Sequence, residues 1–171
     1  FLIRDRLLFQ FESRKERTGQ KRIERVGLNV AKNLGWGISV NPFNELFCVF
    51  FSSIVTGKTV HEAIKESDER YRQEVLVNIA DCMVKCVENG FVIRDPNFWN
   101  ILIDENGDII WIDTGTKKTL SKKHAIKIIN RVFSGYCTPD KTFCDESIAL
   151  RELVLGRLDC ATNSPTGKEL T

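Results

Sequence analysis

Residues 94–100 read Arg-Asp-Pro-Asn-Phe-Trp-Asn, and residues 111–115 read Trp-Ile-Asp-Thr-Gly. The segment between them contains two β-rich runs, 101–104 and 108–113, which are joined by Glu-Asn-Gly. An Asn-Gly pair between such runs is a strong signal for a tight β-hairpin. We therefore predict a hairpin whose two ends carry the polar residues of both stretches.

Two carboxylates and an amide surround this hairpin. Asp95 precedes it, Asn100 stands at its entrance and Asp113 stands at its exit. Because a hairpin brings its ends together, Asn100 and Asp113 are expected to lie near a common point. Carboxylate and amide oxygens are ligands that Mg²⁺ takes when it also holds substrate phosphates. An aspartate placed before them, such as Asp95, can orient and deprotonate an attacking hydroxyl.

The composition is that of a globular protein. The chain has 171 residues, of which 42% are hydrophobic and 28% are charged, so it can bury the core of one domain or of two small lobes. Its 25 basic and 23 acidic residues give a net charge of +2, which offers no electrostatic argument for a nucleic-acid partner. No apolar run approaches the roughly 20 residues needed to cross a bilayer.

The six cysteines include no Cys-x-x-Cys pair, and the chain shows no secretory signal of the usual kind. A reducing cytoplasm is therefore the expected location. Cys82 and Cys86 lie one helical turn apart, but no further ligand stands beside them. We interpret both as thiols that pack in the core.

Local patterns predict the remaining elements. A helix is predicted over residues 13–34, where Ile23, Val26, Val30 and Leu34 form an apolar stripe that ends at two glycines. Strands are predicted at 38–40 and 46–51, followed by a hinge near 52–56. Further helices are predicted over 60–65, 69–89, 122–133 and 145–155.

The order Arg-Asp-x-x-x-x-Asn, hairpin, Asp-x-Gly resembles the protein-kinase-like superfamily. The resemblance implies an α+β, two-lobe fold with a partial N-terminal lobe at 1–54, a mainly helical catalytic lobe at 55–160 that carries the hairpin, and a flexible tail at 161–171. It also implies ATP and Mg²⁺ as cofactors. Asp95 would be the catalytic base, Asn100 and Asp113 would hold Mg²⁺, and Leu102 would pack beneath the adenine.

The resemblance covers most of residues 1–115 and suggests a glutamate on the first helix that pairs with a nucleotide-binding lysine. Glu24 is the first candidate for this glutamate and Glu16 is the reserve. Residues 1–4 read Phe-Leu-Ile-Arg, so Arg4 stands where the family's Val-Ala-Ile-Lys has its lysine. Either Arg4 substitutes for that lysine or the lysine lies upstream, since a strand-like start without methionine predicts a fragment.

Several family features are altered or absent. Ile93 replaces the family's histidine, Thr114 replaces its phenylalanine, and the sequence has neither Gly-x-Gly-x-x-Gly nor Ala-Pro-Glu. A helix beginning near Lys122 leaves little platform for a protein substrate. The chain thus resembles the small-molecule branch, which includes aminoglycoside phosphotransferases and the lipopolysaccharide core sugar kinases. This branch implies transfer of the γ-phosphoryl group to a hydroxyl of a small or sugar-containing acceptor, including a glycolipid at a membrane surface.

Two alternatives have different consequences. A pseudokinase scaffold would keep the fold after losing the glycine-rich loop and the lysine. A P-loop is suggested by residues 52–59, which end in Gly-Lys-Thr, but its first glycine is Ser52 and the β-branched Ile54 and Val55 resist the required backbone. In the kinase-like interpretation Gly57 turns the hinge into the next helix.

The remaining aromatic side chains suggest no chemistry of their own. Trp99 and Trp111 are interpreted as packing groups, and His61 and His124 as lone surface residues without a metal role.

Overall fold

A computed structural model describes residues 12–38, 48–136 and 143–163. Their elements combine helices with small sheets, which confirms the predicted α+β class. In chain order they are α1 (Glu12–Arg25), β1 (Asn29–Val30), β2 (Asn33–Ile38), β3 (Cys48–Ser52), β4 (Lys58–Thr59), α2 (Val60–Lys65), α3 (Glu69–Glu88), β5 (Phe91–Ile93), a 3₁₀ turn (Phe98–Asn100), β6 (Ile101–Ile103), β7 (Ile109–Trp111), β8 (Thr116–Lys118), α4 (Lys122–Ser134) and α5 (Cys144–Asn163).

The chain forms two compact units. The first takes the described residues up to Glu69 together with 93–118, and the second takes 70–92 together with the described residues from Thr119 onward. All the residues that surround the hairpin therefore belong to the first unit. The lobe boundaries predicted from the resemblance, 1–54 and 55–160, stay a prediction.

The first unit contains a four-stranded sheet in the order β1-β7-β6-β4. β6 and β7 form the predicted antiparallel hairpin, with Ile101 opposite Trp111 and Ile103 opposite Ile109. These four side chains are buried, so one face of the hairpin belongs to the core. The turn is closed by the Asp104 carboxylate, which accepts the backbone N–H groups of Asn106 and Asp108 at 2.9 Å each.

The first helix is shorter than predicted. It ends at Arg25, and Gly27 follows with φ 69°, a conformation that suits a glycine at a helix C-terminus. Val30 lies in β1 beside Trp111, and Leu34 lies in β2 with 66% of its surface exposed. The prediction was wrong because the spacing of three and four continued by chance into strands, where it no longer described one helical face.

The strand predicted at 46–51 corresponds to β3, which pairs antiparallel with β2. The strand predicted at 38–40 overlaps β2 only at Ile38, because β2 begins at Asn33 and residues 39–40 lie outside the described residues. Gly35 and Gly37, predicted to end the helix, lie inside β2. The predicted turn between the strands lies outside the described residues. α1 packs against both strands, and Ile23 of this helix is fully buried.

α2 has the bounds predicted for it, whereas the hinge near 52–56 stays a prediction. Thr59 caps α2 through a capping box, since its hydroxyl accepts the N–H of Glu62 at 3.1 Å while the Glu62 carboxylate accepts the N–H of Thr59 at 2.9 Å. Gly57 has φ 155°, and a Cβ built on it would lie 2.5 Å from the carbonyl oxygen of Ile103. The glycine is therefore needed for the close approach of β4 to the hairpin.

The described part of the second unit is mainly helical, and α3 and α4 lie close to their predicted positions. α3 ends before Gly90, which has φ 79°, and α4 begins after Ser121, whose hydroxyl accepts the N–H of His124. α5 extends to Asn163, well beyond the predicted end, and Arg157 on this helix pairs with Asp81 of α3. No described helix is both long enough and apolar enough to cross a membrane.

Cys86 lies on α3 with no exposed surface, as expected for a packing thiol. Burial raises the pKa of this thiol from its ordinary value of 9.0 to about 12. At pH 8 its thiolate fraction should be about a thousandfold lower than that of an ordinary cysteine, and the thiolate is the reactive form. We expect iodoacetamide to label the exposed Cys160 of the native protein and Cys86 only after unfolding, as read by mass spectrometry. Equal labelling rates in the native state would contradict this packing.

Candidate active site

The loop before the hairpin brings Asp95 and Asn100 together. The Nδ2 group of Asn100 donates to the Asp95 carboxylate at 3.1 Å and to the backbone carbonyl oxygen of Asp95 at 3.3 Å. The loop is shaped by Asn97, whose side chain accepts the N–H of Trp99 and whose carbonyl oxygen accepts the N–H of Asn100. Phe98 anchors it in the core with 6% of its surface exposed. The two predicted site residues are thus held in a fixed relation.

The exit of the hairpin is tied to its entrance and to the same loop. The N–H of Ile112 donates to the carbonyl oxygen of Asn100 at 3.1 Å, and the N–H of Arg94 donates to that of Gly115 at 2.8 Å. The Asp113 carboxylate accepts the N–H of Gly115 at 3.0 Å. Backbone hydrogen bonds on either side of Asp95, Asn100 and Asp113 therefore gather all three at one end of the hairpin.

A fourth polar side chain, Glu16 of α1, reaches this group from far away in the sequence. Its carboxylate accepts the backbone N–H of Thr114 at 2.9 Å and lies 3.0 Å from the Thr114 hydroxyl. That hydroxyl is also 2.9 Å from the carbonyl oxygen of Glu16. Burial raises the pKa of Glu16, the negative charge of Asp113 raises it further, and the bonds from Thr114 oppose the shift. Glu16 thus lies against the Asp-Thr-Gly segment and beside its aspartate.

Of the two helix glutamates considered from the sequence, Glu24 is not the one that contacts this segment. Glu24 is exposed, and its carboxylate accepts a hydrogen bond from Gln20 at 3.3 Å. It stands in the last turn of α1, eight residues and about 12 Å along the axis from Glu16. The pairing of Glu24 with a nucleotide-binding lysine stays a prediction, and Arg4 lies outside the described residues.

Sequence reasoning also missed two other residues of α1. A Cβ built on Gly19 would lie 1.6 Å from the carbonyl oxygen of Thr114, so the helix backbone touches the Asp-Thr-Gly segment directly. Arg22 donates to the Thr116 hydroxyl at 2.9 Å. Glycine inside a helix costs about 1 kcal/mol relative to alanine, and this cost was the available signal that Gly19 serves a close contact.

Leu102, the predicted floor of the adenine site, lies in β6 and is half-buried. Its neighbour across the sheet is Thr59 of β4, the residue that caps α2. Leu102 therefore lies on the hairpin next to β4, and its place beneath an adenine stays a prediction.

The oxygen donors fit a magnesium ion that is shared with phosphate. Because the Nδ2 group of Asn100 faces Asp95, its Oδ1 faces away, and no hydrogen bond to this oxygen occurs among the described residues. One carboxylate and one amide oxygen are hard ligands of the kind Mg²⁺ prefers when phosphates complete its shell. The described residues contain no cluster of three His, Cys, Asp or Glu side chains that could hold a metal alone. Asn100 and Asp113 would thus hold Mg²⁺ together with a nucleotide.

Replacing Thr114 with valine tests the contact between α1 and the Asp-Thr-Gly segment. The change keeps the side-chain shape but removes the hydroxyl from a half-buried carboxylate. We expect a loss of about 1–3 kcal/mol in the free energy of unfolding, measured by urea denaturation. The control is Thr18→Val, because the Thr18 hydroxyl donates to the exposed Arg14 carbonyl oxygen and its loss should change the free energy of unfolding by less than about 0.5 kcal/mol. Equal stabilities of the two variants would refute the assigned contact.

The two tryptophans near the site differ in their surroundings. Trp111 is fully buried, which confirms its interpretation as a packing group. Trp99 has 52% of its surface exposed, and its ring stacks on the imidazole of His61 with centroids 3.6 Å apart and planes 20° apart. His61 is therefore not the lone surface residue that was predicted, because it supports an exposed indole.

The fold is shared with WaaP, whose structure was solved in complex with acyl carrier protein. The two align with a TM-score of 0.59 and 12% sequence identity over 89% of this chain and 70% of that chain. The bifunctional kinase-methyltransferase WbdD aligns with a TM-score of 0.44 and 14% identity over 84% of this chain and 36% of that chain, so this chain spans little more than a third of WbdD. Another WbdD structure, at 2.2 Å resolution, aligns with a TM-score of 0.47 and 15% sequence identity over 85% of this chain and 37% of that chain.

Comparison with curated proteins gave no match. Comparison with protein families matched residues 49–148 to the ABC1 atypical kinase-like domain. The matched region includes the Asp95 loop, the hairpin and the Asp-Thr-Gly segment, and the resemblance to the protein-kinase-like superfamily is confirmed. The chain belongs to the family of ABC1 atypical kinase-like domains.

Proposed function

We propose that the protein is an ATP- and Mg²⁺-dependent phosphotransferase that acts on a hydroxyl of a small or sugar-containing acceptor. The observation that carries the proposal is the Asp95–Asn100 hydrogen bond at the entrance of a hairpin whose exit is Asp113. Family membership and the fold shared with WaaP support a kinase-like protein, and the sugar-kinase branch rests on the resemblance of the sequence. A glycolipid of the lipopolysaccharide-core type is the acceptor class we favour, reached from the cytoplasm at a membrane surface.

Each residue of the site has a separate task in this reaction. Asp95 orients the acceptor hydroxyl and takes its proton as the oxygen attacks the γ-phosphorus of ATP, and ADP leaves. Asn100 and Asp113 would hold Mg²⁺, which would supply neutralisation of charge on the phosphate oxygens. Leu102 supports the adenine from below. Positioning and charge neutralisation supply the catalysis, because phosphoryl transfer needs little covalent help from the protein.

Glu16 acts through its neighbours. By holding the Thr114 N–H and hydroxyl, it fixes the segment that carries Asp113 and so orients the aspartate toward the metal. Glu16 is therefore a positioning residue in this proposal. Arg4 and Glu24 remain the proposed pair at the nucleotide phosphates, with the upstream lysine as the alternative to Arg4.

The test is transfer of label from [γ-³²P]ATP in the presence of Mg²⁺ to a panel of free hexoses, aminoglycosides and sugar-containing glycolipids. We expect a labelled product with at least one sugar-containing acceptor and none in the presence of EDTA. Asp108→Asn is a matched control that should retain activity, because Asp108 is exposed at the far turn of the hairpin. Binding of ATP without transfer to any acceptor would instead favour the pseudokinase scaffold.

A further inference from the structure

An exposed tryptophan stands inside the catalytic loop. Trp99 lies between Asp95 and Asn100 and leaves 52% of its surface in contact with solvent. Large aromatic side chains are usually well buried on average, and their exposure is typical of binding surfaces. The loop has other anchors besides this ring, because Phe98 is buried in the core and Asn97 caps its turn.

The indole is held in one orientation by its neighbour. His61 stacks on it at 3.6 Å, and His61 itself follows Thr59, the residue that caps α2 with a capping box. Because the imidazole covers one face, the exposed surface of Trp99 is its other face and its edge. A ring fixed before binding loses little conformational entropy when a ligand arrives.

Trp99 and His61 have neighbours, in the chain and in the sheet, among the residues proposed to bind the acceptor and ATP. Trp99 directly precedes Asn100, whose amide holds the Asp95 carboxylate. His61 belongs to α2, whose cap Thr59 lies opposite Leu102 in the sheet. Trp99 is therefore the chain neighbour of a residue that holds Asp95, and its stacking partner lies on the helix next to the strand that pairs with Leu102, all within one compact unit.

We propose that the exposed face of Trp99 binds the pyranose ring of the acceptor and so presents one of its hydroxyls to Asp95. A pyranose has an apolar face of C–H groups whose partial positive charge complements the negative face of an indole. Its hydroxyls lie around the rim, where they remain in water or meet polar side chains. A linear polyol has the same hydroxyls but no rigid apolar face. This inference rests on the proposed function and names the part of the acceptor that is recognised.

Binding is tested by NMR without any turnover. The indole N–H signals of the three tryptophans are recorded on ¹⁵N-labelled protein, and Trp99→Phe assigns the signal of Trp99. Methyl α-pyranosides of glucose, galactose and mannose are titrated, with sorbitol at equal concentration as the acyclic control. We expect a saturable shift of the Trp99 signal with at least one pyranoside and not with sorbitol. Equal shifts with sorbitol, or no shift with any pyranoside, would overturn the proposal.

Kinetics separate this inference from the proposed function. With an acceptor that is phosphorylated, Trp99→Ala should raise the KM for the acceptor about tenfold, since an aromatic contact contributes about 1 kcal/mol or somewhat more. Trp99→Phe should restore part of the affinity, and kcat should change less than KM. An unchanged acceptor KM in Trp99→Ala would reject the stacking role. If no acceptor is phosphorylated at all, the proposed function fails, whereas the NMR titration still decides whether Trp99 binds a sugar ring.

Discussion

Replacing Asp95 with asparagine is expected to lower phosphoryl transfer by about 10²- to 10⁴-fold, the range typical of a lost general base. Asparagine has nearly the same shape and keeps an oxygen that can accept the Asn100 Nδ2 hydrogen bond. The loop should therefore keep its structure, while no side chain at this position can accept the proton of the acceptor hydroxyl. Initial rates at saturating acceptor measure the loss, and the thermal unfolding midpoint checks that the fold is intact.

The matched control for this variant is Asp108→Asn, the same chemical change at an exposed position on the other side of the hairpin. It should transfer phosphate within about twofold of the wild-type rate, as expected for a surface substitution. An Asp95→Asn protein that transfers phosphate as fast as wild type would remove Asp95 from the mechanism.

Replacing Gly19 with alanine is expected to damage both stability and activity. The new Cβ would lie 1.6 Å from the Thr114 carbonyl oxygen, whereas ordinary contacts begin at 3.4 Å, so α1 or the Asp-Thr-Gly segment must move. Overpacking of this kind costs about 1–3 kcal/mol in the free energy of unfolding. A displacement of about 1 Å at the metal-binding aspartate can lower the rate about 10²-fold.

Gly156→Ala provides the control for this substitution. Gly156 lies inside α5, and a Cβ built on it meets nothing within 4 Å. Because alanine favours a helix over glycine, this variant should be more stable by up to about 1 kcal/mol and fully active. Urea denaturation and transfer rates are compared for both proteins. If Gly19→Ala behaves like Gly156→Ala, the close contact between α1 and Thr114 does not exist.

The parts of the site that depend on local sequence could be predicted. The Asn-Gly turn between two apolar runs specifies the hairpin, and its ends then place Asn100 and Asp113. The helices α2 and α3 were predicted nearly to the residue, because caps and glycines mark their ends. Such signals need only a few neighbouring residues and no knowledge of the rest of the chain.

The parts that depend on distant contacts could not be predicted. Glu16 and Thr114 are separated by 98 positions in the sequence, and no local pattern predicts the hydrogen bonds between them. Thr114 was seen only as a departure from the family's phenylalanine, although its hydroxyl provides the contact. Glu24 was preferred over Glu16 on the resemblance alone, and both glutamates lie within α1, so the helix bounds do not decide between them. Glu16 contacts Thr114 because α1 packs against the Asp-Thr-Gly segment at Gly19.

Binding of ATP is the measurement that tests the metal and nucleotide site most directly. Isothermal titration calorimetry is performed in Mg²⁺ and in EDTA on the wild-type protein, on Asp113→Asn and on Asp108→Asn. Asp113 is predicted to hold the ion between protein and phosphate, so binding should require Mg²⁺ and should weaken at least about tenfold in Asp113→Asn. Asp108→Asn should bind as tightly as wild type. ATP binding of equal affinity in EDTA and in Asp113→Asn would contradict the assignment of Asn100 and Asp113 as a magnesium site.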